Sequence, residues 1–312
     1  MEWLLIPAGI ILLILLTAYV CYRMAFYSPK RKPTPPDTYP IPEGNVYEPH
    51  REKMVEWIKE TRSLPHDAVA ITSFDGLTLR GNYYEYAPGA PVELMMPGYR
   101  GDAERDLCGG VQRCFHLKRN VLLVDQRACG KSDGSVITFG VREHRDCLAW
   151  VDYLIQRFGT DVKIILTGIS MGAATVMIAG GTELPSSVVG IIADCGYTST
   201  KEIIQKVIGD LHLPPKLAYP FVKLGARLYG GFDLEEVSPI EAMKKCRVPV
   251  FFIHGEGDDF VPCSMSIANS NACSAPHKLF TVPGAGHGLA YMLDPEGYHR
   301  AITELNFPNA DH

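Results

Sequence analysis

The 312-residue chain lacks an excess of basic residues, since 30 Lys and Arg side chains stand against 35 Asp and Glu side chains. The formal net charge is −5, and the basic residues form no extended stripe, so the sequence does not predict nucleic-acid binding. Hydrophobic residues make up 46% of the chain and charged residues 21%. These proportions exclude a disordered or collagen-like chain and predict a sizeable hydrophobic core.

Cysteine pairs at metal-binding or redox spacing are also missing. Nine cysteines are present, but an odd number cannot pair completely, and no two of them form a C-x-x-C motif. The sequence therefore predicts neither a disulfide framework nor a structural zinc site. Most of the cysteines lie among apolar residues, so we interpret them as packed thiols in a reducing compartment.

Charged side chains are absent from residues 3–22, a run of 20 largely apolar residues. As a helix this run is about 30 Å long, the thickness of the hydrocarbon core of a bilayer. A cleaved signal peptide is the alternative interpretation. It would have basic residues before the apolar run and a small-x-small cleavage site after it, and neither is found. Residues 1–24 are therefore predicted to be an uncleaved membrane anchor.

The basic residues that flank the apolar run lie on its C-terminal side. They are Arg23, Lys30, Arg31 and Lys32, and no Lys or Arg precedes the run. The positive-inside rule then places the rest of the chain in the cytoplasm. The sequence thus predicts a single-pass membrane protein with a cytoplasmic C-terminal domain.

Proline occupies six of the fourteen positions from 29 to 42, which favours an extended spacer. We assign residues 25–47 to a proline-rich linker and residues 48–312 to one domain. Residues 48–62 have the apolar spacing of a helix. Further helices are predicted at about 104–117, 141–157, 171–181 and 264–273.

Short apolar runs alternate with these helical segments from residue 67 onward. Asp75-Gly76 separates the first two runs, which is a hairpin signal. Several later runs are continuously apolar, as in strands buried on both faces of a parallel sheet. The pattern predicts an α/β fold with a mostly parallel sheet flanked by helices. The eight predicted strands are 67–72, 77–86, 92–97, 120–125, 163–168, 188–194, 248–255 and 278–284.

Residues 198–237 interrupt the alternation with two or three helix-like pieces. We call this segment the insertion, and its position between two strands makes it a candidate for a helical lid. Its apolar side chains could line an acyl or aryl pocket, or they could pack in the core. The side chains in question are Leu217, Tyr219, Phe221, Val222 and Tyr229.

A G-x-S-x-G motif at residues 168–172 follows a predicted strand and opens an apolar helix. In that position the motif describes a nucleophile elbow, a sharp turn that projects the Ser170 hydroxyl above the sheet. The glycines two residues away on each side leave room for such a turn. An ordinary strand–helix turn with Ser170 as the N-cap is the alternative, and the motif alone does not decide between them.

The segments that follow two later strands supply the groups that a serine nucleophile needs. A serine hydroxyl requires a base that takes its proton, and this base requires an orienting carboxylate. Asp258 and Asp259 follow the strand that ends at residue 255, and His287 follows the next one. His254 lies at the end of a strand and is interpreted as structural.

The order Ser170, Asp258, His287 resembles that of the α/β-hydrolase superfamily, and the similarity covers residues 67–305. The chain is most similar to the branch of serine hydrolases with an HGxxDxxVP motif, here residues 254–262. That branch includes prolyl-oligopeptidase-like and ABHD-type esterases. The resemblance implies the α/β-hydrolase fold, with Ser170 as nucleophile, His287 as base and Asp258 as acid. Asp259 is the alternative acid.

The resemblance also implies an oxyanion hole made of two backbone N–H groups. One belongs to Met171, and the other comes from the loop after the third strand. Relatives commonly have His-Gly at the start of this loop, whereas this chain has Pro97-Gly98. Because proline has no N–H, Tyr99 is the predicted second donor.

The function that these residues predict is that of a membrane-anchored serine hydrolase. It would cleave a carboxylic ester, a thioester or a small amide of a small-molecule or lipid-like acyl substrate. A carboxylesterase is favoured over a peptidase, because the chain has no room for the propeller domain that prolyl peptidases of this branch often carry. A peptidase or an acyltransferase of the same fold remains an alternative. So does a non-catalytic binding or scaffold protein, although such proteins usually lack a triad member.

No cofactor is implied by the sequence. Glu143, His144 and Asp146 at a helix start could suggest a metal site. A helix N-terminus favours acidic residues in any case, so we interpret these residues as part of the helix start. The oligomeric state is not predicted.

Overall fold

The computed structural model describes residues 2–30 and 34–304. Arg31 and Lys32, which contribute to the predicted membrane orientation, lie outside the described residues. Eight strands form one sheet in the order β1-β2-β4-β3-β5-β6-β7-β8. The strands are β1 Asp67–Thr72, β2 Thr78–Tyr84, β3 Val92–Met96, β4 Asn120–Val124, β5 Ile164–Ile169, β6 Val188–Asp194, β7 Val250–Gly255 and β8 His277–Val282.

β2 pairs in antiparallel fashion with β1 on one side and with β4 on the other, and the strands from β3 to β8 pair with one another in parallel fashion. This is the mostly parallel eight-stranded sheet of the α/β-hydrolase fold that the sequence predicts. The helices are α1 Glu2–Ala25, α2 Arg51–Ser63, α3 Ala103–Asp106, α4 Gly110–His116, α5 Glu143–Phe158, α6 Met171–Gly180, α7 Thr200–Asp210, α8 Pro215–Gly225, α9 Pro239–Met243, α10 Cys263–Ala272, α11 Ala290–Leu293 and α12 Pro295–Glu304.

Apolar side chains cover both faces of the sheet, as continuously apolar strands require. Successive side chains of a strand point to opposite faces. In β5, Leu166 belongs to the same core cluster as Trp150 of α5, whereas the neighbouring Ile165 belongs to a second cluster with Ile302 of α12. The sheet is therefore buried between two helical layers.

The single helix predicted at about 104–117 is two helices, α3 and α4. Gly109 lies between them with φ +84°, a left-handed conformation that a continuous right-handed helix does not contain. The first helix is capped by the Asp102 side chain, which accepts a hydrogen bond from the Arg105 amide at 2.9 Å. The loop after β3 is thus followed by a short helix rather than by a long one.

The N-terminal helix α1 is exposed over residues 6–16 and packs against the insertion only through its last turns. Ala18 and Tyr22 are buried, and so is Phe26 just beyond the helix. Tyr22 and Phe26 belong to a core cluster that includes Val222 of α8. The helix and the insertion are therefore joined by an apolar interface.

The proline-rich segment after α1 lies against the rest of the fold. Ile41 and Tyr47 are buried in one cluster with Met54 and Ile58 of α2 and with Leu289. This contact brings residues 41–47 to the carboxyl-terminal edge of the sheet, beside the segment that follows β8. The predicted linker thus reaches the same edge as the predicted catalytic residues.

Candidate active site

Ser170 occupies a strained turn between β5 and α6, with φ +56° and ψ −115°. Such a conformation is uncommon for a residue with a side chain and is a feature of functional turns. A Cβ atom at Gly168 would lie 2.1 Å from the Gly172 carbonyl carbon, and one at Gly172 would lie 2.0 Å from the Met96 oxygen. Glycine is therefore required on both sides of the serine for steric reasons.

His287 follows β8 and is held by hydrogen bonds on both its ring and its backbone. Its Nδ1 lies 2.6 Å from Asp258 Oδ2, and the Tyr47 hydroxyl donates to its carbonyl oxygen at 2.9 Å. The Nδ1–H donates to the carboxylate, so the other ring nitrogen, Nε2, is left as an acceptor. This is the tautomer that a general base requires.

Asp258 is buried and its two oxygens are used differently. Oδ1 accepts hydrogen bonds from the amides of Phe260 and Val261 at 2.9 and 2.8 Å. Oδ2 faces His287 and lies 3.2 Å from His254 Nε2. Burial by itself raises the pKa of Asp258, but the hydrogen bonds from His254, His287 and the Val261 amide lower it overall. The carboxylate is thus ionised and oriented toward His287.

The neighbouring Asp259 is exposed. Its backbone oxygen accepts a hydrogen bond from Lys206 of α7. Asp258, and not Asp259, carries the carboxylate that contacts His287.

His254 is fully buried and holds the loop that carries Asp258. Its Nε2 donates to the Val261 carbonyl oxygen at 2.8 Å, and its Nδ1 lies 2.6 Å from the Ser266 hydroxyl. Because a carbonyl can only accept, Nε2 carries the proton and Nδ1 accepts from Ser266. These contacts agree with the structural role expected for His254.

Ser170 and His287 line the same cavity but are not hydrogen bonded to each other. Among the described residues, the Ser170 hydroxyl has no hydrogen-bond partner. The Sγ atom of Cys195, which follows β6, lies 4.0 Å from His287 Nε2. Catalytic hydrogen bonds are often long before substrate binds, so a serine and a histidine that are not yet hydrogen bonded can still form a catalytic pair.

The loop after β3 carries Tyr99, the predicted second donor to an oxyanion. Pro97 has no N–H, and the Gly98 amide donates to Asp106 Oδ2 at 2.9 Å. Within the described residues, the amides of Tyr99 and Met171 donate to no other group. The oxyanion hole formed by these two N–H groups stays a prediction, and a Cβ at Gly98 would lie 3.6 Å from the Ser170 Cβ.

The end of α1 and the residues just after it hold the loop that follows β3 through the side chains of Tyr99 and Arg100. The Tyr99 hydroxyl donates to the Ala25 carbonyl oxygen at 2.8 Å, and burial raises the pKa of Tyr99 to about 12, so the hydroxyl keeps its proton. Arg100 donates to the carbonyl oxygens of Met24 and Tyr27, both at 2.8 Å. The N-terminal helix is therefore attached to the loop that carries Tyr99.

A cavity of about 620 Å³ opens above Ser170 and His287. Charged groups on its wall include Arg100, Arg105 and Asp259. Most of the large side chains that face it are apolar or aromatic, which suits an acyl or aryl group. They are Val46, Tyr47, Met54, Trp57, Phe260 and Met292.

Among the described residues that line this cavity, none belongs to the insertion, so its role as a lid stays a prediction. Leu217 and Tyr229 are exposed, and Tyr219 and Val222 are buried in the core cluster that also contains Tyr22 of α1. The wall is formed instead by residues 42–47 of the proline-rich segment and by α2. No sequence pattern signals this arrangement, because a contact such as Tyr47 with His287 joins residues 240 positions apart.

One group of metal-ligating types is present at this site. Ligand atoms of Cys195, Asp258 and His287 lie within 4.8 Å of one another. Burial, followed by the nearby Asp194 and Asp258 carboxylates, raises the pKa of Cys195 well above its usual value, so the thiol keeps its proton and is a poor ligand. The Asp258 oxygens are already hydrogen bonded, so the arrangement fits a triad better than a metal site.

The acidic residues at the start of α5 are engaged in structural contacts. Glu143 accepts hydrogen bonds from the amides of Thr138 and Gly140 at 2.7 and 2.8 Å. Asp146 pairs with Arg127 at 2.6 Å. Their carboxylates therefore hold the loop before α5 and the loop after β4.

Two residues near the candidate triad, Asp194 and Cys195, are not among those predicted from the sequence. They lie at the carboxyl end of β6, next to the strands that carry the triad candidates. Their position at the carboxyl end of a predicted strand could have identified them as candidate site residues, because the sites of α/β folds lie at the carboxyl ends of the strands. Asp194 also accepts a hydrogen bond from the Ser170 amide at its backbone oxygen, at 2.8 Å.

Asp194 has an incompletely satisfied side chain. Its Oδ2 lies 3.4 Å from the Tyr298 hydroxyl, and its Oδ1 has no partner among the described residues. Burial raises the pKa of Asp194 to about 6, against smaller opposite effects of His254 and His287. Its usual value is 3.8, so the folded protein binds an extra proton between about pH 4 and pH 6. The free energy of unfolding therefore falls as the pH rises through this window.

Replacing Asp194 by asparagine should remove this pH dependence. The pKa shift of Asp194 corresponds to about 3 kcal/mol of free energy of unfolding. The wild type should lose up to this amount between pH 4 and pH 7, whereas Asp194→Asn should not. Urea denaturation of the detergent-solubilised chain at a series of pH values measures it. Asp161→Asn, at an exposed position, is the matched control. A difference between Asp194→Asn and wild type that does not change with pH would contradict the prediction.

A family model described as the alpha/beta hydrolase family matches residues 94–301. The chain belongs to this family. Among its relatives are YqkD of Bacillus subtilis (strain 168), 28% identical over 187 residues, with 60% of this chain and 61% of YqkD covered. Protein Rv2307c of Mycobacterium tuberculosis (strain ATCC 25618 / H37Rv) is 28% identical over 244 residues, with 76% and 79% covered. Protein bem46 of Schizosaccharomyces pombe is 27% identical over 200 residues, with 62% and 60% covered. The matched residues thus span about three fifths of the length of YqkD and of bem46. The similarity to bem46 supports the ABHD-type branch of the family.

Solved structures of esterases have the same fold. The Pyrococcus furiosus esterase Pf2001 superposes with a TM-score of 0.63 at 23% identity, covering 79% of this chain and 93% of that one. Est1E of Butyrivibrio proteoclasticus, solved with ferulic acid, gives a TM-score of 0.60 at 22% identity, covering 77% and 99%. At this level of identity the likeness establishes the fold, and the fold and family together support hydrolase chemistry.

Proposed function

We propose that this protein is a membrane-anchored serine hydrolase that cleaves a carboxylic ester, a thioester or a small amide. The observation that carries the proposal is the arrangement at the cavity. Ser170 stands on a strained turn, and His287 on the same cavity wall is hydrogen bonded to the buried Asp258 at 2.6 Å.

The proposed mechanism has two halves that share one base. The Ser170 hydroxyl oxygen attacks the acyl carbonyl carbon while His287 Nε2 takes the hydroxyl proton. Asp258 stabilises the imidazolium, and the amides of Tyr99 and Met171 donate to the oxyanion. His287 then protonates the leaving group, which departs and leaves an acyl-enzyme. Water attacks the acyl-enzyme in the same way and releases the acid.

The cavity and its place near α1 support an acyl substrate of lipid-like character. Its large apolar side chains offer an acyl chain more contact than a peptide backbone, which needs hydrogen-bond partners. Arg100 on the cavity wall donates to the carbonyl of Met24, two residues beyond the apolar run. The cavity would therefore open close to the membrane surface if α1 spans the bilayer.

A series of p-nitrophenyl esters tests the reaction class with the full chain in detergent. The value of kcat/KM should rise about fourfold for each added methylene until the acyl chain fills the cavity, because a buried methylene contributes about 0.8 kcal/mol. Aminoacyl p-nitroanilides are the comparison. Faster cleavage of the anilides would identify a peptidase, and faster transfer to an added alcohol than to water would identify an acyltransferase.

The anchor proposal is supported by α1. Its segment Ile6–Ala25 is long and apolar enough to cross a membrane, although a signal sequence near an N-terminus has the same properties. With the basic residues on its C-terminal side, the hydrolase domain is proposed to be cytoplasmic.

Protease digestion of intact cells tests this topology. External protease should leave the domain whole, and permeabilised cells, in which it should be cleaved, are the control. A mature protein that begins near residue 22 would instead show processing and export.

A further inference from the structure

The contacts between α1 and the insertion fix how deep the insertion sits. A Cβ at Gly225 would lie 2.4 Å from the Ala18 carbonyl oxygen, so the end of α8 touches the helix backbone there. Four residues further along, the Tyr229 hydroxyl lies 3.1 Å from the Leu15 carbonyl oxygen and donates to it. The Tyr229 ring also packs edge-on against Tyr19 at 5.2 Å between centroids.

These contacts fall inside the stretch that α1 needs to cross a bilayer. A span of about 30 Å uses all of residues 3–22. Leu15 lies seven residues before the end of that stretch, which is about 10 Å along the helix axis. If Tyr22 lies at the boundary of the hydrocarbon core, Tyr229, which contacts Leu15, lies about 10 Å inside that boundary.

The π-helical turn Ala226–Gly230, which we call the insertion tip, has the surface that such a position requires. Leu228 is 51% exposed and Tyr229 is 38% exposed, although both side chains are largely apolar. The exposed Arg227 precedes them. A leucine, a tyrosine and an arginine together suit the boundary between acyl chains and anionic headgroups, where the arginine can reach toward the phosphates.

We propose that the insertion tip is inserted into the cytoplasmic leaflet of the membrane beside α1. This inference rests on the proposed membrane anchor and extends it, because it gives the hydrolase domain a second membrane contact. The occupant of the exposed surface of Leu228 is then lipid rather than a second protein. The insertion thereby has a role in seating the domain on the bilayer.

Tryptophan substitution measures the depth of the tip. The full chain carrying Leu228→Trp is reconstituted into vesicles of phosphatidylcholine with phosphatidylserine, with and without bromine on the acyl chains. Leu213→Trp is the matched control, because Leu213 is 52% exposed but precedes α8, at the opposite end of that helix from the tip. Wild type supplies the signal of the three native tryptophans. Ester hydrolysis in detergent verifies that both variants fold.

Relative to the wild type, Leu228→Trp should show additional tryptophan fluorescence with a blue-shifted emission maximum. This additional fluorescence should be quenched in brominated vesicles, as for a side chain about 5–10 Å deep in the membrane. Leu213→Trp should add unquenched emission. Unquenched, water-like emission from Leu228→Trp would overturn the proposal, and so would blue-shifted emission insensitive to bromine, which would show that protein covers the tip. If the wild-type chain fails to float with the vesicles after carbonate extraction, the anchor itself is wrong. Flotation with an unquenched tip rejects the tip proposal alone.

Discussion

Ser170→Ala should abolish labelling of the protein by a fluorophosphonate probe. The probe reacts when the Ser170 oxygen attacks its phosphorus, and alanine removes that oxygen. Alanine keeps the Cβ atom, so the turn with φ +56° faces no new steric demand. In a protease triad, loss of the serine lowers kcat by about a millionfold, and we expect a loss of ester hydrolysis that approaches this size. Gel fluorescence after labelling and steady-state hydrolysis measure the two effects.

The control for this experiment is Ser186→Ala, at an exposed position on the loop before β6. It should label like the wild type, and thermal melts should show that both variants fold. Cys195 is the strongest rival nucleophile, because its Sγ is 4.0 Å from His287 Nε2. Equal labelling of folded Ser170→Ala, with the probe found on Cys195 by peptide mass spectrometry, would contradict the assignment of Ser170.

The fold could be predicted from local signals because strands buried on both faces carry an unusually clear one. Residues 188–193 are free of polar side chains, and the observed strand β6, Val188–Asp194, has the bounds predicted for this strand. Helix boundaries that depend on the backbone conformation of a single residue are harder to predict from the sequence. The left-handed Gly109 divides a segment whose apolar spacing is typical of one helix.

The candidate triad could be located because each member follows a strand in a short recognisable motif. The walls of the cavity could not, because they depend on contacts between distant parts of the chain. Residues 34–47 have the composition of an extended spacer, and nothing in that composition indicates that Tyr47 reaches the His287 backbone. The contact of Tyr99 with Ala25 is equally hidden, because 74 residues separate the two.

The position of Cys195 beside His287 is a further contact that the sequence does not signal. Its thiol stands beside the proposed base because β6 ends next to β5 and β7 in the sheet order. Sequence order places it between Ser170 and Asp258, with no motif around it. Strand order, which was not predicted, is what brings it to the site.

Asp258→Asn should lower kcat by about ten-thousandfold, as the corresponding change does in a protease triad, while the protein stays folded. The oxygen of the new carboxamide can still accept from the amides of Phe260 and Val261, which hold the loop at 2.9 and 2.8 Å. Its NH₂ group, however, would face His287 Nδ1 and donate to it. The proton of His287 would then reside on Nε2, which could no longer accept the proton of Ser170. Steady-state kinetics with a p-nitrophenyl ester measure the effect.

Asp259→Asn is the matched variant, because it makes the same chemical change one residue away. Asp259 is exposed, and among the described residues its side chain has no hydrogen-bond partner, whereas its backbone oxygen accepts a hydrogen bond from Lys206. Loss of an exposed charge usually changes the free energy of unfolding by less than about 0.5 kcal/mol, so the variant should fold. Because it is Asp258 that contacts His287, kcat should change by about twofold at most. Asp259 does border the cavity, and any effect should therefore fall on KM. A larger loss of kcat in Asp259→Asn than in Asp258→Asn would move the acid of the triad by one residue. Equal, small losses in both would mean that His287 acts without an orienting carboxylate.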